Sequence, residues 1–103
     1  MTTRVTGFRN FAERADEVAA LLKAMANQKR LMVLCKLAEH GEMRVGELAL
    51  AVGLSQSALS QHLGVLRDEG IVAFRRESQT LWYRLVDPRC EELLVTLHRL
   101  YCA

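Results

Sequence analysis

The chain has little with which to build an extensive sheet. Valine and isoleucine together number 10, against 29 leucines and alanines, a balance that favours helices. No apolar run nears the roughly 20 residues of a membrane-spanning helix. The stretch from Met1 to Asn10 lacks the apolar h-region of a signal peptide, and Cys102 sits next to last, where prenylation does not occur. A cytoplasmic protein without a membrane partner is therefore expected. Cysteine is sparse as well: Cys35, Cys90 and Cys102 are odd in number and include no Cys-x-x-Cys pair. That excludes a disulfide framework and a zinc knuckle, and in the cytosol the three are thiols by default. One proline, no repeat and no low-complexity stretch divide the 103 residues, which are enough for a single domain.

Apolar residues are plentiful, at 50% of the chain with a net charge of +2, the reverse of a disordered composition. A domain this small has too little interior for so many, so part of the surplus is read as a subunit interface. Of the 14 basic residues 11 are arginine, the better bidentate partner for phosphate, although a GC-rich genome gives the same bias.

Caps and glycines punctuate the chain. Asn10 with Glu13 matches a capping box, and Phe11, Ala15, Val18, Leu22 and Met25 follow at helical spacing, giving a helix over 10–26. Asn27 opens a second helix, striped by Leu31, Leu34, Cys35 and Ala38 and closed by Gly41. A third, short helix covers 45–52. Gly53-Leu54-Ser55 is then a tight turn, and Ser55 caps a fourth helix running to Glu69. Two helices joined so closely through glycine form a helix-turn-helix pattern. Strand-like runs at 71–76 and 80–86 flank the loop Glu77-Ser78-Gln79, and Asp87-Pro88 opens a last helix striped by Leu93, Leu94, Leu97, Leu100 and Tyr101.

On the fourth helix Leu59, Leu63 and Leu66 form one apolar edge. The opposite side gathers Gln56, Ser57, Ser60, Gln61 and Gly64, with neither charge nor apolar bulk. Such amides and hydroxyls suit the edges of bases in a major groove. Gly64 costs about 1 kcal/mol of helix propensity, which makes sense where a phosphate or groove wall comes close. Arg75, Arg76 and Arg84 lie on the following hairpin, placed to grip a duplex backbone without reading sequence. Arginines on a strand edge also serve against sheet aggregation.

Five segments carry a family resemblance: Leu21-Leu22-Lys23-Ala24-Met25-Ala26-Asn27, Arg30-Leu31, Val45-Gly46-Glu47-Leu48, the run from Leu54 to Leu63, and Thr80-Leu81-Trp82-Tyr83-Arg84-Leu85. Over about 12–102 the chain resembles ArsR/SmtB winged-helix repressors, most of all their sulfide- and redox-responsive BigR, SqrR, HlyU and YgaV branch. The resemblance implies a mainly α winged helix-turn-helix in the order α-α-α-α-β-β-α. It implies a homodimer joined through the first and last helices and a near-palindromic double-stranded DNA operator as partner. The whole chain, 1–103, is then one DNA-binding domain, with 1–9 a flexible N-terminal arm. Arg44 departs from the pattern, since relatives often carry a small hydroxyl residue there to cap the third helix.

Many members of that family sense metals, but here the third helix has no Cys-x-Cys pair and the last helix lacks the zinc-type ligand set. His40, His62 and His98 occur singly, so neither a metal nor another cofactor is expected. The thiols remain as sensors. Cys90 and Cys102 are twelve residues apart on one helix, a rise of about 18 Å, too far to pair within a subunit. Cys35 with either of them stays open on spacing alone, and Cys35 equally fits a small core hydrophobe. The resemblance selects Cys35 and Cys102 as the sensing pair, with reactive sulfur species or oxidants as inducers. Cys90 is then a packing residue whose first-turn position would lower its pKa modestly. A repressor with structural cysteines and another input is the alternative. A thiol enzyme is more remote, because neither thiol has an electropositive cradle with a base in reach.

Overall fold

The computed structural model describes residues 7–102. Nine elements follow in order: α1 (Phe8–Glu13), α2 (Ala15–Met25), α3 (Gln28–His40), β1 (Glu42–Arg44), α4 (Val45–Val52), α5 (Gln56–Asp68), β2 (Val72–Glu77), β3 (Thr80–Leu85) and α6 (Pro88–Cys102). The mainly α architecture with a β-hairpin matches the expectation from α2 onward, with one added strand. Residues 1–6 of the expected N-terminal arm lie outside the described residues, whereas Phe8 and Arg9 begin α1.

The first helix departs from its expected form. The Asn10–Glu13 capping box does not form, because the helix starts at Phe8 behind Gly7 and leaves Asn10 in its interior. An N-cap needs extended backbone geometry, which a residue inside a helix no longer has. Phe8 and Phe11 pack edge-on at 5.4 Å. The helix then breaks at Arg14, whose φ of −109° and ψ of 12° are not helical. Its guanidinium binds the Glu17 carboxylate in the first turn of α2.

The other caps act as the sequence predicts. Asn27 accepts from the Arg30 N–H at 3.1 Å, Ser55 from the Ala58 N–H at 3.1 Å, and Asp87 from the Arg89 N–H at 2.9 Å. Arg44, in the corresponding place before α4, has no side-chain acceptor to offer. Instead the Glu47 carboxylate turns back to accept the Arg44 N–H at 3.4 Å and to pair with its guanidinium.

β1 was not foreseen. Three residues are too few to establish a period of two, and the strand exists only through its partner. It pairs antiparallel with β3, Met43 opposite Tyr83 and Arg44 opposite Trp82, to give a sheet in the order β1-β3-β2. On the far side of β3, Phe74 faces Tyr83 and Arg75 faces Trp82. Met43, Val72 and Tyr83 point into the core, where Leu34 and Leu37 of α3, Leu48 and Val52 of α4, and Leu59, Leu63 and Leu66 of α5 meet. Each fully buried leucine contributes at most about 1.5–3 kcal/mol, so the edge of α5 is firmly seated. Gly53 makes the bend into α5 possible, because its φ of 69° is one that a side chain with a Cβ resists.

Candidate nucleic-acid interface

With its leucine edge anchored, α5 presents the opposite face outward. Gln56, Ser57, Ser60 and Gln61 are all exposed, as the helical periodicity requires. A Cβ built on Gly64 would meet the Arg67 Nη2 at 3.9 Å, an ordinary contact, so no crowding within the chain demands glycine there. His62 takes no part in this face. It is half-buried, with its Nδ1 3.3 Å from the Arg30 Nη1.

The hairpin, or wing, does not gather its arginines into one patch. Arg75 and Arg84 stand two strand positions apart in register with Trp82 and Ala73, on the sheet face turned away from the core. Arg76, opposite Leu81, stands on the other face. Arg75 is engaged: its Nε and Nη2 donate to Glu42 and its Nη1 to Glu77, all at 2.9 Å. The bonds from Arg75 hold the Glu42 carboxyl below the ordinary glutamate value, against the opposing effect of desolvation. Arg76 and Arg84 are exposed and form no ion pair among the described residues. The loop closes through Ser78 and Gln79, with Ser78 at a φ of 56°.

Two participants escaped the sequence reading. Trp82 lies between Arg44 and Arg75, whose guanidinium carbons stand 5.7 and 5.3 Å from its ring centre, and its buried Nε1 has no hydrogen-bond partner among the described residues. Arg44 also lines an open cleft of about 830 Å³ between the wing, the start of α4 and the start of α5. Gln56 and Ser60 of α5 and Gln79 and Thr80 of the wing share that cleft. So does Leu50, 86% exposed. Only the register of β1 on β3 brings Arg44 there, and the one sequence signal was its departure from a hydroxyl cap.

The thiols sort by exposure. Cys35 is exposed on α3, which removes the reading of it as a core hydrophobe: in its stripe Leu34 is buried while Cys35 and Ala38 face out. Partial desolvation pushes its thiol pKa up, the negative charge of Glu39 adds to this, and Lys36 opposes it. Cys102 is exposed at the end of α6. Cys90 is fully buried, its Sγ 3.8 Å from the Met25 Sδ. The modest lowering expected from its first-turn position is overturned: burial, then the Asp87 charge, pushes this thiol up to about 11. Among the described residues no three His, Cys, Asp or Glu side chains converge on a metal-sized site, and no helix is long and apolar enough to cross a membrane.

Comparison with known proteins agrees with this geometry. Residues 27–73 match the family described as bacterial regulatory protein, arsR family. The transcriptional activator HlyU of Vibrio cholerae is 50% identical over 90 residues, covering 87% of this chain and 82% of that protein. The crystal structure of the transcriptional repressor BigR from Xylella fastidiosa superposes with a TM-score of 0.88 at 43% identity, covering 95% of this chain and 99% of the other. The solution structure of a homodimeric winged helix-turn-helix DNA-binding domain from Mycobacterium bovis, a possible ArsR-family regulator, gives 0.78 at 31% identity, covering 97% and 89%. With relatives this similar over more than four-fifths of their length, the chain belongs to the arsR family of bacterial transcriptional regulators.

Proposed function

We propose that the chain is a homodimeric repressor that grips a near-palindromic operator through α5 and releases it when Cys35 and Cys102 become linked. The observation that carries the DNA half is the exposed, uncharged face of Gln56, Ser57, Ser60 and Gln61 beside a wing. Glutamine both donates and accepts at a base edge, and serine tolerates several bases. Two such helices in a dimer reach successive major grooves, about 34 Å apart. Arg76 and Arg84 add charge for the backbone.

Dimerisation is supported by apolar side chains left outside. Phe8, Phe11, Leu22, Val95, Leu100 and Tyr101 are exposed on α1, α2 and α6, the last two at 64% and 83%. A single copy gains nothing from so much apolar surface, whereas a partner would cover it. The Mycobacterium bovis relative is described as homodimeric.

The sensing half rests on which thiols solvent reaches. Cys35 and Cys102 are the exposed pair, whereas Cys90 is buried. α6 runs unbroken from Pro88 to Cys102, so Cys90 and Cys102 stay about 18 Å apart while it holds. An oxidant takes up the two electrons and two protons lost when the thiols form a disulfide. For a longer bridge a persulfide donor passes its outer sulfur to a protein thiol and leaves as its own thiol, and the same class of oxidant takes up the two electrons and two protons lost as the bridge closes. Either bridge ties α3 to α6 and so biases how the two reading helices are presented. A coupling of about 1–3 kcal/mol lowers operator affinity roughly 5- to 150-fold. Footprinting on the upstream region of its own gene, with and without a persulfide donor, tests both halves. Protection lost on treatment and retained in Cys102→Ser supports the reading. Equal protection in both states removes the sensing half, and no protection removes the whole.

A further inference from the structure

We infer that Arg44 is a DNA-backbone contact of this regulator, and that Arg75 is a positioning residue that braces the wing. The inference rests on the DNA half of the proposed function. A cation that meets phosphate must face the surface that carries the reading residues and must be free to exchange its partner. Arg44 meets the first requirement. Of the side chains around the cleft that Gln56 and Ser60 share with Gln79 and Thr80, it is the one lysine or arginine among the described residues. It meets the second as well: it is half-exposed and its single carboxylate partner among the described residues, Glu47 in the same cleft, stands at 3.4 Å.

Arg75 meets neither requirement. It does not line the cleft, and it gives three bonds at 2.9 Å to two carboxylates. A phosphate would have to displace both. Glu42 belongs to β1 and Glu77 to the end of β2, so those bonds span the sheet across β3. Trp82 lies beneath both guanidinium groups, with Arg44 on β1 to one side of it and Arg75 on β2 to the other.

The two roles separate in the salt dependence of binding, because each phosphate contact contributes about 0.9 to the slope of log affinity against log salt. Fluorescence anisotropy on a duplex of about three helical turns reads that slope. The duplexes are one from the upstream region and one of mixed sequence. Arg44→Ser removes the charge while supplying the hydroxyl cap that α4 lacks, so the protein stays folded, as a thermal melt verifies. It flattens the slope by about two per dimer, on both duplexes alike, since a backbone contact reads no sequence. Arg44→Lys keeps the slope. Arg75→Gln and Glu42→Gln each weaken binding by the same factor at every salt concentration, which is the mark of a brace. A slope unchanged by Arg44→Ser overturns the Arg44 assignment. Tighter, steeper binding by Glu42→Gln shows that Arg75 was a phosphate contact held in check and overturns the other. No salt-dependent binding by the unaltered protein instead removes the DNA reading beneath both.

Discussion

Arg30 ties α5 to the rest of the molecule through His62. Its Nη1 lies 3.3 Å from the His62 Nδ1, while its Nε donates to the Ala24 carbonyl at 2.6 Å. One side chain on α3 thus touches α5 and the end of α2. Lys29 beside it donates to the Val52 carbonyl at 2.9 Å, at the last turn of α4. Arg30→Met leaves the Ala24 carbonyl without this charged donor, a loss of about 1.5–3 kcal/mol in urea unfolding. Arg30→Lys recovers only part of it, since an ammonium lacks the fork that reaches both partners.

The two sides of α5 answer to different measurements. Leu59→Ala, at a fully buried position, costs about 2–5 kcal/mol of stability by chemical unfolding. Gln61→Ala, on the exposed face, shifts stability by less than about 0.5 kcal/mol. It lowers discrimination between operator and mixed-sequence DNA by about 1–3 kcal/mol per reading contact, read from competition binding. A stability loss without a specificity loss in Gln61→Ala would place this residue in the core and not at a base.

Cys90 makes stability fall in alkali. Its thiol is raised from 9.0 to about 11 in the folded protein, so its contribution is complete below about pH 9 and lost as pH rises toward 11. Two units correspond to roughly 2 kcal/mol once relaxation is allowed for. Cys90→Ala lacks this loss, so the gap between variant and parent in urea midpoints at pH 7 narrows or reverses by pH 11. A gap constant across that range would mean that Cys90 does not titrate with unfolding.

Asp87 acts at the opposite end of the scale. Burial pushes its carboxyl up, but the Arg89 guanidinium and N–H outweigh that and hold it below the ordinary 3.8. Its contribution is present above that ordinary value and is lost as pH falls through the lowered one. At neutral pH Asp87→Ala costs about 1–2 kcal/mol as α6 loses its cap, and Asp87→Asn costs less, because the amide oxygen still accepts. Thermal melts at neutral pH and near pH 2 check both the order and its disappearance in acid.

Elements that carry their own signals were legible in the chain. Ser55, Asn27 and Asp87 cap through their own oxygens, and the leucine spacing of α5 dictates its buried edge, so each could be read locally. What depended on a partner could not be read. β1 is a strand because β3 lies beside it, and Arg44 faces the cleft because of that pairing. The exposure of Cys35 beside the buried Leu34 turns on small rotations of α3 that a four-residue stripe does not resolve. The engagement of Arg75 depends on Glu42, 33 positions away. Asn10 shows the converse failure, a locally sound cap overruled when the helix begins earlier at Phe8.

β1 ends at Arg44 and α4 begins at Val45, with no residue between them. Sheet and helix-turn-helix are welded at that peptide, so the wing cannot swing on a hinge of its own. Accommodation to duplexes of differing groove width falls to the two-residue tip, Ser78 and Gln79, and to side-chain rotamers. If α5 and the wing grip DNA as proposed, a head this stiff tolerates few operator shapes, and that intolerance becomes a source of selectivity for DNA whose curvature suits it.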